Sequence, residues 1–233
     1  VAFHDRAKYI ADPDYKRELP IKTLISKDYA AKRRSEISMD KAMGEVKDII
    51  KSSDTSYVTV VDSKRNCASF ICSVYDSFGS GIVAKDTGII MQNRGSLFSL
   101  EKGHFNFFEP SKRPLHTIIP AMVLKDDYPW LCFGVMGGDM QPQGHVQVLL
   151  NMIEFGMNVQ EAGEVSRVCH CSEGVALETD IPWDVRIKLL EKGHKLISGV
   201  DIFGGYQGIR INKETGMLSG GSDIRKDGCA IGY

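Results

Sequence analysis

The sequence lacks a strong charge of either sign: 29 lysines and arginines nearly balance 30 aspartates and glutamates, which leaves a formal net charge of −1. This balance gives no basic field for nucleic acid, so no nucleic-acid partner is expected. No apolar run approaches the roughly 18 residues that a membrane-spanning helix needs, so no membrane span is expected. The six cysteines lie mostly inside apolar stretches, which is more typical of buried free thiols than of a disulfide framework.

The cysteines also bear on the localisation of the protein. Free thiols favour a reducing compartment and therefore a cytoplasmic location. The chain begins VAFHDRAKYI, with neither an initiator methionine nor a targeting segment. We interpret it as a portion of a longer protein, in which any targeting signal would lie upstream of Val1.

Several familiar catalytic and binding motifs are missing. The sequence contains no GxSxG, HExxH, P-loop or EF-hand pattern. The glycines of VMGGDMQPQGH precede a predicted helix but lack the GxGxxG spacing of a dinucleotide site. Cys169 and Cys171 form a close pair in VCHCSEG, but no second ligand pair follows at zinc-site spacing. Neither a cofactor nor a metal is therefore expected.

The first fifty residues are polar and typical of helices. Ser26 is a predicted N-cap for the helix in SKDYAAKRRSEI. Further along, Met43, Val46 and Ile50 lie at helical spacing on one face. The small polar residues Lys51 to Asp54 then predict an exposed linker.

From Thr55 the hydrophobic period changes to two, which predicts strands. Tyr57, Thr59 and Val61 should share one face of the first strand, with CASFICSVY as its hairpin partner. Other predicted hairpins turn near residues 86–88, 125–128 and 213–216. The predicted helices between them have Pro142, Asn158 and Pro182 near their first turns. Strands, helices and then strands predict antiparallel sheets with helices packed outside them.

Thr55 stands at the boundary between the polar run and the first strand, and two interpretations apply to it. The simpler one is a β-favouring residue at the edge of a strand. The other is a nucleophile released by cleavage of the Asp54–Thr55 bond, which would give Thr55 a free α-amine. An α-amine has a pKa near ~8 and can serve as a general base at neutral pH. Composition alone favours the simpler interpretation.

Four separated motifs favour the nucleophile. The stretches TSYVTVVD…FGSGIV, KRPLHTIIPAM, GVMGGD and GGSDIRKDGCAIGY resemble, in order and spacing, the γ-glutamyltransferase (glutathione hydrolase) family of N-terminal-nucleophile hydrolases. The resemblance implies an α/β (α+β) fold, a four-layer αββα sandwich with mainly antiparallel sheets. It also implies that residues 1–54 are the C-terminal part of a large subunit with the linker to the cleavage site. Residues 55–233 would then be the small catalytic subunit.

The resemblance also assigns catalytic roles. Thr55 matches the residue that attacks both its own preceding peptide bond and the substrate, which makes Asp54–Thr55 the cleavage site. Ser73 matches a threonine whose hydroxyl contacts that nucleophile. Gly137 and Gly138 match a pair whose backbone N–H groups form the oxyanion hole, where glycine permits a close backbone approach.

The matched substrate-binding positions depart from the family pattern. His116 and Thr117 stand where the family has two serines that bind the substrate carboxylate. Tyr75 replaces an asparagine, and Arg94 replaces a polar residue near the substrate ammonium group. Leu97 replaces an acidic residue and cannot accept a hydrogen bond. The segment over the site, EKGHFNFFEPS, is also short, which favours water as the acceptor.

The resemblance implies an autocatalytically cleaved zymogen that hydrolyses γ-glutamyl amides such as glutathione and transfers the γ-glutamyl group to water or amino acids. Its partners would be a small-molecule γ-glutamyl substrate and the large-subunit remainder upstream of Val1, which carries the family's carboxylate-binding arginine. A higher oligomer is also possible on this resemblance. Leu97 and Arg94 leave open a glutaryl or cephalosporin-type acylase, and an uncleaved inactive homologue is a third alternative.

Overall fold

The computed structural model describes residues 1–15, 18–44, 54–199 and 201–233. A 3-10 turn spans Arg94–Leu97. The helices are α1 (Ala2–Tyr9), α2 (Ile21–Leu24), α3 (Lys27–Arg34), α4 (Met140–Ile153), α5 (Glu161–Glu164) and α6 (Trp183–Glu191). The strands are β1 (Asp54–Val61), β2 (Cys67–Tyr75), β3 (Ala121–Lys125), β4 (Tyr128–Met136), β5 (Val168–Cys171), β6 (Gly174–Leu177), β7 (Leu196–Ile197), β8 (Gly205–Ile211) and β9 (Leu218–Ser222).

Three sheets organise these strands. The β1–β2 hairpin is one sheet, and β3, β4, β8 and β9 form a second in that order. All pairs within these two sheets are antiparallel. The third sheet joins β5, β6 and β7, with β6 and β7 parallel. The predicted α+β fold with mainly antiparallel sheets is therefore confirmed.

The β1–β2 hairpin packs face to face on the central sheet. The ring of Tyr57 lies against Gly134, where a Cβ atom would come within 2.5 Å of the ring, so only glycine fits. Thr59 Oγ1 donates to Cys132 Sγ at 3.0 Å. These two contacts fix how β1 lies over β4, and both strands carry residues at alternate positions into the shared layer.

The other face of the central sheet is covered by α4. Leu131, Phe133 and Val135 of β4 form one buried cluster with Val148 and Met152 of α4. Because β4 is covered on both faces, its residues 131–136 are all buried, and its sequence is a continuous apolar run rather than an alternating one. The described residues thus stack hairpin, sheet and helix, which are three of the four layers of the sandwich.

The outer face of the hairpin lies open in the described part of the chain. Val58, Val60 and Phe70 on this face are 51%, 49% and 62% exposed. Their partners on the inner face, Tyr57 and Ile71, are buried. The predicted alternation along the first strand is therefore confirmed.

Most predicted local signals are confirmed. Ser26 accepts a hydrogen bond from the Tyr29 backbone N–H at 3.2 Å, as an N-cap should. Asn158 and Glu161 each accept a backbone hydrogen bond from the other at 2.9 Å, which is the capping-box arrangement. The hairpins at residues 125–128 and 213–216 are present as β3–β4 and β8–β9.

Two expectations differ from the structure, and a third lies outside the described residues. The pair around Asp86 is reduced to one isolated bridge between Val83 and Ile90. Asp54, predicted to end a linker, is the first residue of β1, because it pairs with the end of β2. The rest of that linker, with Val46 and Ile50 of the preceding helical face, lies outside the described residues.

Candidate active site

The Asp54–Thr55 bond lies at an irregularity in the β1–β2 ladder. Asp54 pairs with Tyr75 and Thr55 pairs with Ser73, so the register shifts between Asp54 and Thr55 and Val74 is left over. A β-bulge of this kind bends the strand and re-aims the flanking side chains. The bond that is predicted to be cleaved therefore lies where the regular strand pairing is interrupted.

The Thr55 hydroxyl lies against the hydroxyl of Ser73. Thr55 Oγ1 is 3.3 Å from Ser73 Oγ, which is within hydrogen-bond distance. Thr55 is half-buried, so the hydroxyl is held by the strand pairing and remains near the surface of this chain. The two predicted hydroxyls are thus brought together by the register of a single hairpin.

Arg94 links this pair to a third hydroxyl. Its Nη2 donates to Ser73 Oγ at 3.0 Å and its Nη1 donates to Thr117 Oγ1 at 2.6 Å. The Tyr75 backbone N–H also donates to Ser73 Oγ at 3.0 Å. Arg94 is only 1% exposed and Thr117 only 3%. The guanidinium is therefore buried beneath the hydroxyl pair, and it holds the hydroxyls of Ser73 and Thr117 in place.

Tyr75 has an unusual backbone conformation beside the bulge. Its φ of 77° lies in the left-handed region, which non-glycine residues rarely adopt. The side chain is buried, and the Arg94 guanidinium lies over the ring at 5.0 Å from its centroid. Burial, followed by the charge of Asp139, raises the pKa of the Tyr75 phenol to about 12. The phenol is therefore neutral at physiological pH.

His116 differs from its neighbour because its side chain is exposed. Partial desolvation and the positive charge of Arg94 lower the pKa of its imidazole below the ordinary value. The imidazole is therefore neutral at pH 7 and can act as a hydrogen-bond donor or acceptor. Of the four predicted substrate-binding residues, His116 is the one that faces solvent in this chain.

Gly137 and Gly138 form the turn between β4 and α4. Their φ values of 111° and 56° lie in the left-handed region that favours glycine. A Cβ on Gly137 would also lie 2.9 Å from Gly204 Cα. Tyr57 of β1 lies against Gly134 of β4, and Thr59 contacts Cys132. If the same packing continues for two more residues along each strand, Thr55 should lie near Met136, the residue before this turn.

The glycine turn also contacts the irregular segment that contains Thr117 and precedes β3. Gln141, fully buried at the start of α4, accepts a hydrogen bond from the Ile119 backbone N–H at 2.8 Å. Ile119 lies two residues after Thr117, whose hydroxyl holds Arg94. A continuous set of contacts therefore connects the predicted oxyanion turn to the predicted nucleophile.

Residues 1–15 contact both loops that flank the site. On the glycine-turn side, Arg6 Nη1 donates to Asp139 Oδ1 at 2.5 Å. On the other side, Asp12 accepts from the Arg113 backbone N–H at 2.9 Å and from its Nη2 at 2.6 Å. Sequence reasoning missed both pairs. Their charges are visible in HDRAKYIADPDY and KRPLH, but nothing in a single sequence indicates pairings across such separations.

No group of three or more potential metal ligands occurs among the described residues. Cys169 and Cys171, which lie close together in the sequence, are a pair of thiols whose sulfurs lie 3.6 Å apart. Within the same residues, no helix is both long and apolar enough to cross a bilayer.

Comparison with known proteins gives the same family along the whole chain. The Gamma-glutamyltranspeptidase family model matches residues 1–233. The chain is 37% identical to a glutathione hydrolase-like proenzyme, YwrD, of Bacillus subtilis, covering 99% of this chain and 45% of that protein. It is 32% identical to a glutathione hydrolase proenzyme of the same organism, covering 100% of this chain and 43% of that protein.

A solved structure agrees with these matches. Cephalosporin acylase from Bacillus halodurans has a TM-score of 0.87 and 39% identity, covering 99% of this chain and 43% of that one. The chain thus spans less than half the length of these relatives. Matches over nearly every residue of this chain, together with the hydroxyl pair at the start of β1 and the glycine turn after β4, show that it belongs to the gamma-glutamyltranspeptidase family.

Proposed function

We propose that the protein is a self-processing threonine amidohydrolase that cleaves γ-glutamyl amides such as glutathione, with water or an amino acid as acceptor. The observation that carries the proposal is the contact of Thr55 Oγ1 with Ser73 Oγ at 3.3 Å, beside the bulge at the Asp54–Thr55 bond. Family membership supports it, because one relative described above is named a glutathione hydrolase-like proenzyme and another a glutathione hydrolase proenzyme.

In the proposed processing step, Thr55 Oγ1 attacks the carbonyl carbon of Asp54. The C–N bond breaks as the C–O ester bond forms, and the Thr55 nitrogen takes a proton to become an α-amine. Water then hydrolyses the ester, which releases the Asp54 carboxylate and restores the Thr55 hydroxyl. Residues 1–54 would belong to the large subunit and 55–233 to the small subunit, with the large-subunit remainder upstream of Val1 as partner.

In the proposed catalytic step, the α-amine of Thr55 accepts the hydroxyl proton as Oγ1 attacks the substrate amide. The N–H groups of Gly137 and Gly138 stabilise the oxyanion of the tetrahedral intermediate. The same amine passes the proton to the leaving amine, and water resolves the acyl ester. Because the α-amine shares the residue of the nucleophile, no histidine base is required.

Direct contact with the substrate is proposed for the predicted substrate-binding residue whose side chain is exposed. His116 is exposed and neutral, so it can bind the acyl group of the substrate directly. Thr117, Tyr75 and Arg94 are buried in this chain, which favours support of the site over direct contact. A buried tyrosine at the position of the family asparagine also leaves the γ-glutamyl ammonium without that partner.

The processing proposal is tested on the full-length parent. We expect two bands on a denaturing gel, with the smaller fragment beginning at Thr55 by N-terminal sequencing. Thr55→Ala should remain a single band without amidase activity. A stable uncut wild-type chain, measured by intact mass, would favour the uncleaved homologue, and activity retained in Thr55→Ala would exclude Thr55 as nucleophile.

A second candidate function is an acylase for glutaryl-like or cephalosporin side chains. Leu97 cannot accept a hydrogen bond from an ammonium group, and Arg94 places a positive charge beside the site. The solved structure described above is named as a cephalosporin acylase, which also favours this function. Initial rates on γ-glutamyl and glutaryl 4-nitroanilide separate the two functions, because an acylase should favour the glutaryl compound by at least about tenfold, or about 1.4 kcal/mol.

A further inference from the structure

We propose that Arg94 is a positioning residue for the nucleophile, whose buried guanidinium acts through Ser73 to stabilise Thr55 Oγ1 as that oxygen loses its proton. The inference rests on the proposed role of Thr55. It gives Arg94 a different task from the substrate contact that its position in the family implies.

The burial of Arg94 favours this task. The residue is 1% exposed, and its two terminal nitrogens donate to Ser73 Oγ and Thr117 Oγ1. One face of the guanidinium lies over the Tyr75 ring. A substrate carboxylate would have to displace these contacts to reach it. The geometry therefore directs the charge of Arg94 towards the hydroxyls.

Among the described residues, no carboxylate forms an ion pair with Arg94. Burial lowers the pKa of its guanidinium. A buried cation that lacks a carboxylate partner gains when a negative charge develops beside it. Here the group that can develop such a charge is the Thr55 hydroxyl.

The distances allow a large effect. Thr55 Oγ1, Ser73 Oγ and Arg94 Nη2 form a series of contacts of 3.3 Å and 3.0 Å. The distance from Arg94 Nη2 to Thr55 Oγ1 therefore cannot exceed the sum of these two contact distances. At a separation of about 6 Å and an effective dielectric constant of about 20, one full charge changes an equilibrium by about 10²-fold.

Other titratable groups surround Arg94 and must be distinguished from it. Tyr75 packs against its face, and His116 lies near enough for Arg94 to lower its pKa. Asp76, Asp139 and Arg6 act on Tyr75 in turn. Because Tyr75 titrates far above neutrality and the pKa of His116 is lowered, the group expected to titrate near pH ~8 is the Thr55 α-amine.

The test measures pH–rate profiles of the processed full-length protein on γ-glutamyl and glutaryl 4-nitroanilide. Arg94→Gln should lower kcat by about 10²-fold with KM within about threefold. The ascending limb of the pH–rate profile of this variant should move to higher pH. Without the positive charge of Arg94 nearby, the protonated α-amine of Thr55 is more stable, so the pKa of this amine rises. Arg94→Lys should recover at least about a tenth of wild-type kcat and gain a descending alkaline limb, since a buried lysine loses its proton more readily than arginine. Arg210→Gln, at an exposed position beside Trp130, is the matched control and should match wild type.

Two results would overturn the inference. One is an unchanged kcat in Arg94→Gln. The other is a large rise in KM at constant kcat, which would make Arg94 a direct substrate contact. If the glutamine variant fails to fold, the lysine variant decides, because the absence of its alkaline limb contradicts the role of the charge. Activity that survives Thr55→Ala would overturn the proposed function itself, whereas an inactive Thr55→Ala with normal Arg94→Gln overturns only this inference.

Discussion

Arg6 Nη1 donates to Asp139 Oδ1 at 2.5 Å, although 133 residues separate the two in sequence. Asp139 directly follows Gly137 and Gly138, so this ion pair holds the turn that should bind the oxyanion. Both side chains are largely buried, at 17% and 6% exposure. Because Arg6 lies in the proposed large-subunit segment, a residue from before the proposed cleavage site supports the geometry of the candidate site after it.

Removal of this ion pair should weaken both stability and catalysis. Arg6→Ala leaves the Asp139 carboxylate without this partner, which we expect to cost about 3 kcal/mol of unfolding free energy. The relaxed turn should lower kcat by about tenfold with little change in KM. Urea unfolding and steady-state kinetics check the two effects. Arg34→Ala, at an exposed position on α3, is the control and should change neither.

A double-mutant cycle distinguishes coupling from general damage. Arg6→Ala, Asp139→Asn and the double variant should show a coupling energy of about 1–3 kcal/mol, because the two groups are in direct contact. Strictly additive losses would contradict the proposed support of the glycine turn.

How much of this architecture is visible in the sequence depends on the range of the interaction. The β1–β2 hairpin, the Ser26 cap and the Asn158–Glu161 capping box were predictable, because each depends on residues close together in the chain. The proposed nucleophile and the glycine turn are indicated by the family resemblance, since composition alone favours an ordinary strand edge at Thr55.

Tertiary contacts could not be read in the same way. The ion pairs of Arg6 and Asp12 join distant segments, so no periodicity or spacing marks them. On α4, Val146, Leu150 and Ile153 lie at helical spacing yet are 56%, 45% and 59% exposed. The helix instead buries a face that includes Gly144 and His145, because close approach to β4 requires small or hydrogen-bonded residues there.

The Asp12–Arg113 pair predicts a pH dependence of stability. Hydrogen bonds from Arg113 hold the pKa of the Asp12 carboxyl well below its usual range. A carboxyl whose folded pKa is depressed contributes stability above its unfolded pKa of about 3.9, and the contribution is lost as pH falls towards the folded value. Asp12→Asn should therefore lower Tm at pH 7 and flatten the dependence of Tm on pH below about 4.

Thermal melts of wild type and variant from pH 2.5 to pH 7 test this expectation. The control is Asp127→Asn at the exposed β3–β4 turn, which should leave the acid limb of the curve unchanged. Parallel curves for Asp12→Asn and wild type would show that the pair contributes nothing to acid sensitivity.

The backbone of Tyr75 predicts a difference between two substitutions. Its φ of 77° is tolerated by asparagine but strongly disfavoured for β-branched residues. Both Tyr75→Asn and Tyr75→Val remove the buried ring, and the valine variant should lose a further 1–2 kcal/mol, roughly, through backbone strain. The valine variant should also cut itself more slowly, because Asp54 pairs with Tyr75 beside the bulge.

Chemical unfolding and the time course of precursor cleavage measure these two differences. Equal stabilities and equal cleavage rates in the two variants would show that the left-handed residue does not hold the bulge in place.

The glycine turn before α4 gives a final prediction, and a glycine just after the same helix is the control. Gly138 has a φ of 56° and Gly156, just beyond the end of α4, has a φ of 68° with open space around its Cα. Alanine at either position should cost about 1 kcal/mol of stability, because both backbones lie in the left-handed region. Only Gly138→Ala should also lower kcat by about 10²–10³-fold, the usual loss when one oxyanion donor is misplaced. Steady-state kinetics at matched stability compare the two, and equal kcat values would exclude the turn from the oxyanion hole.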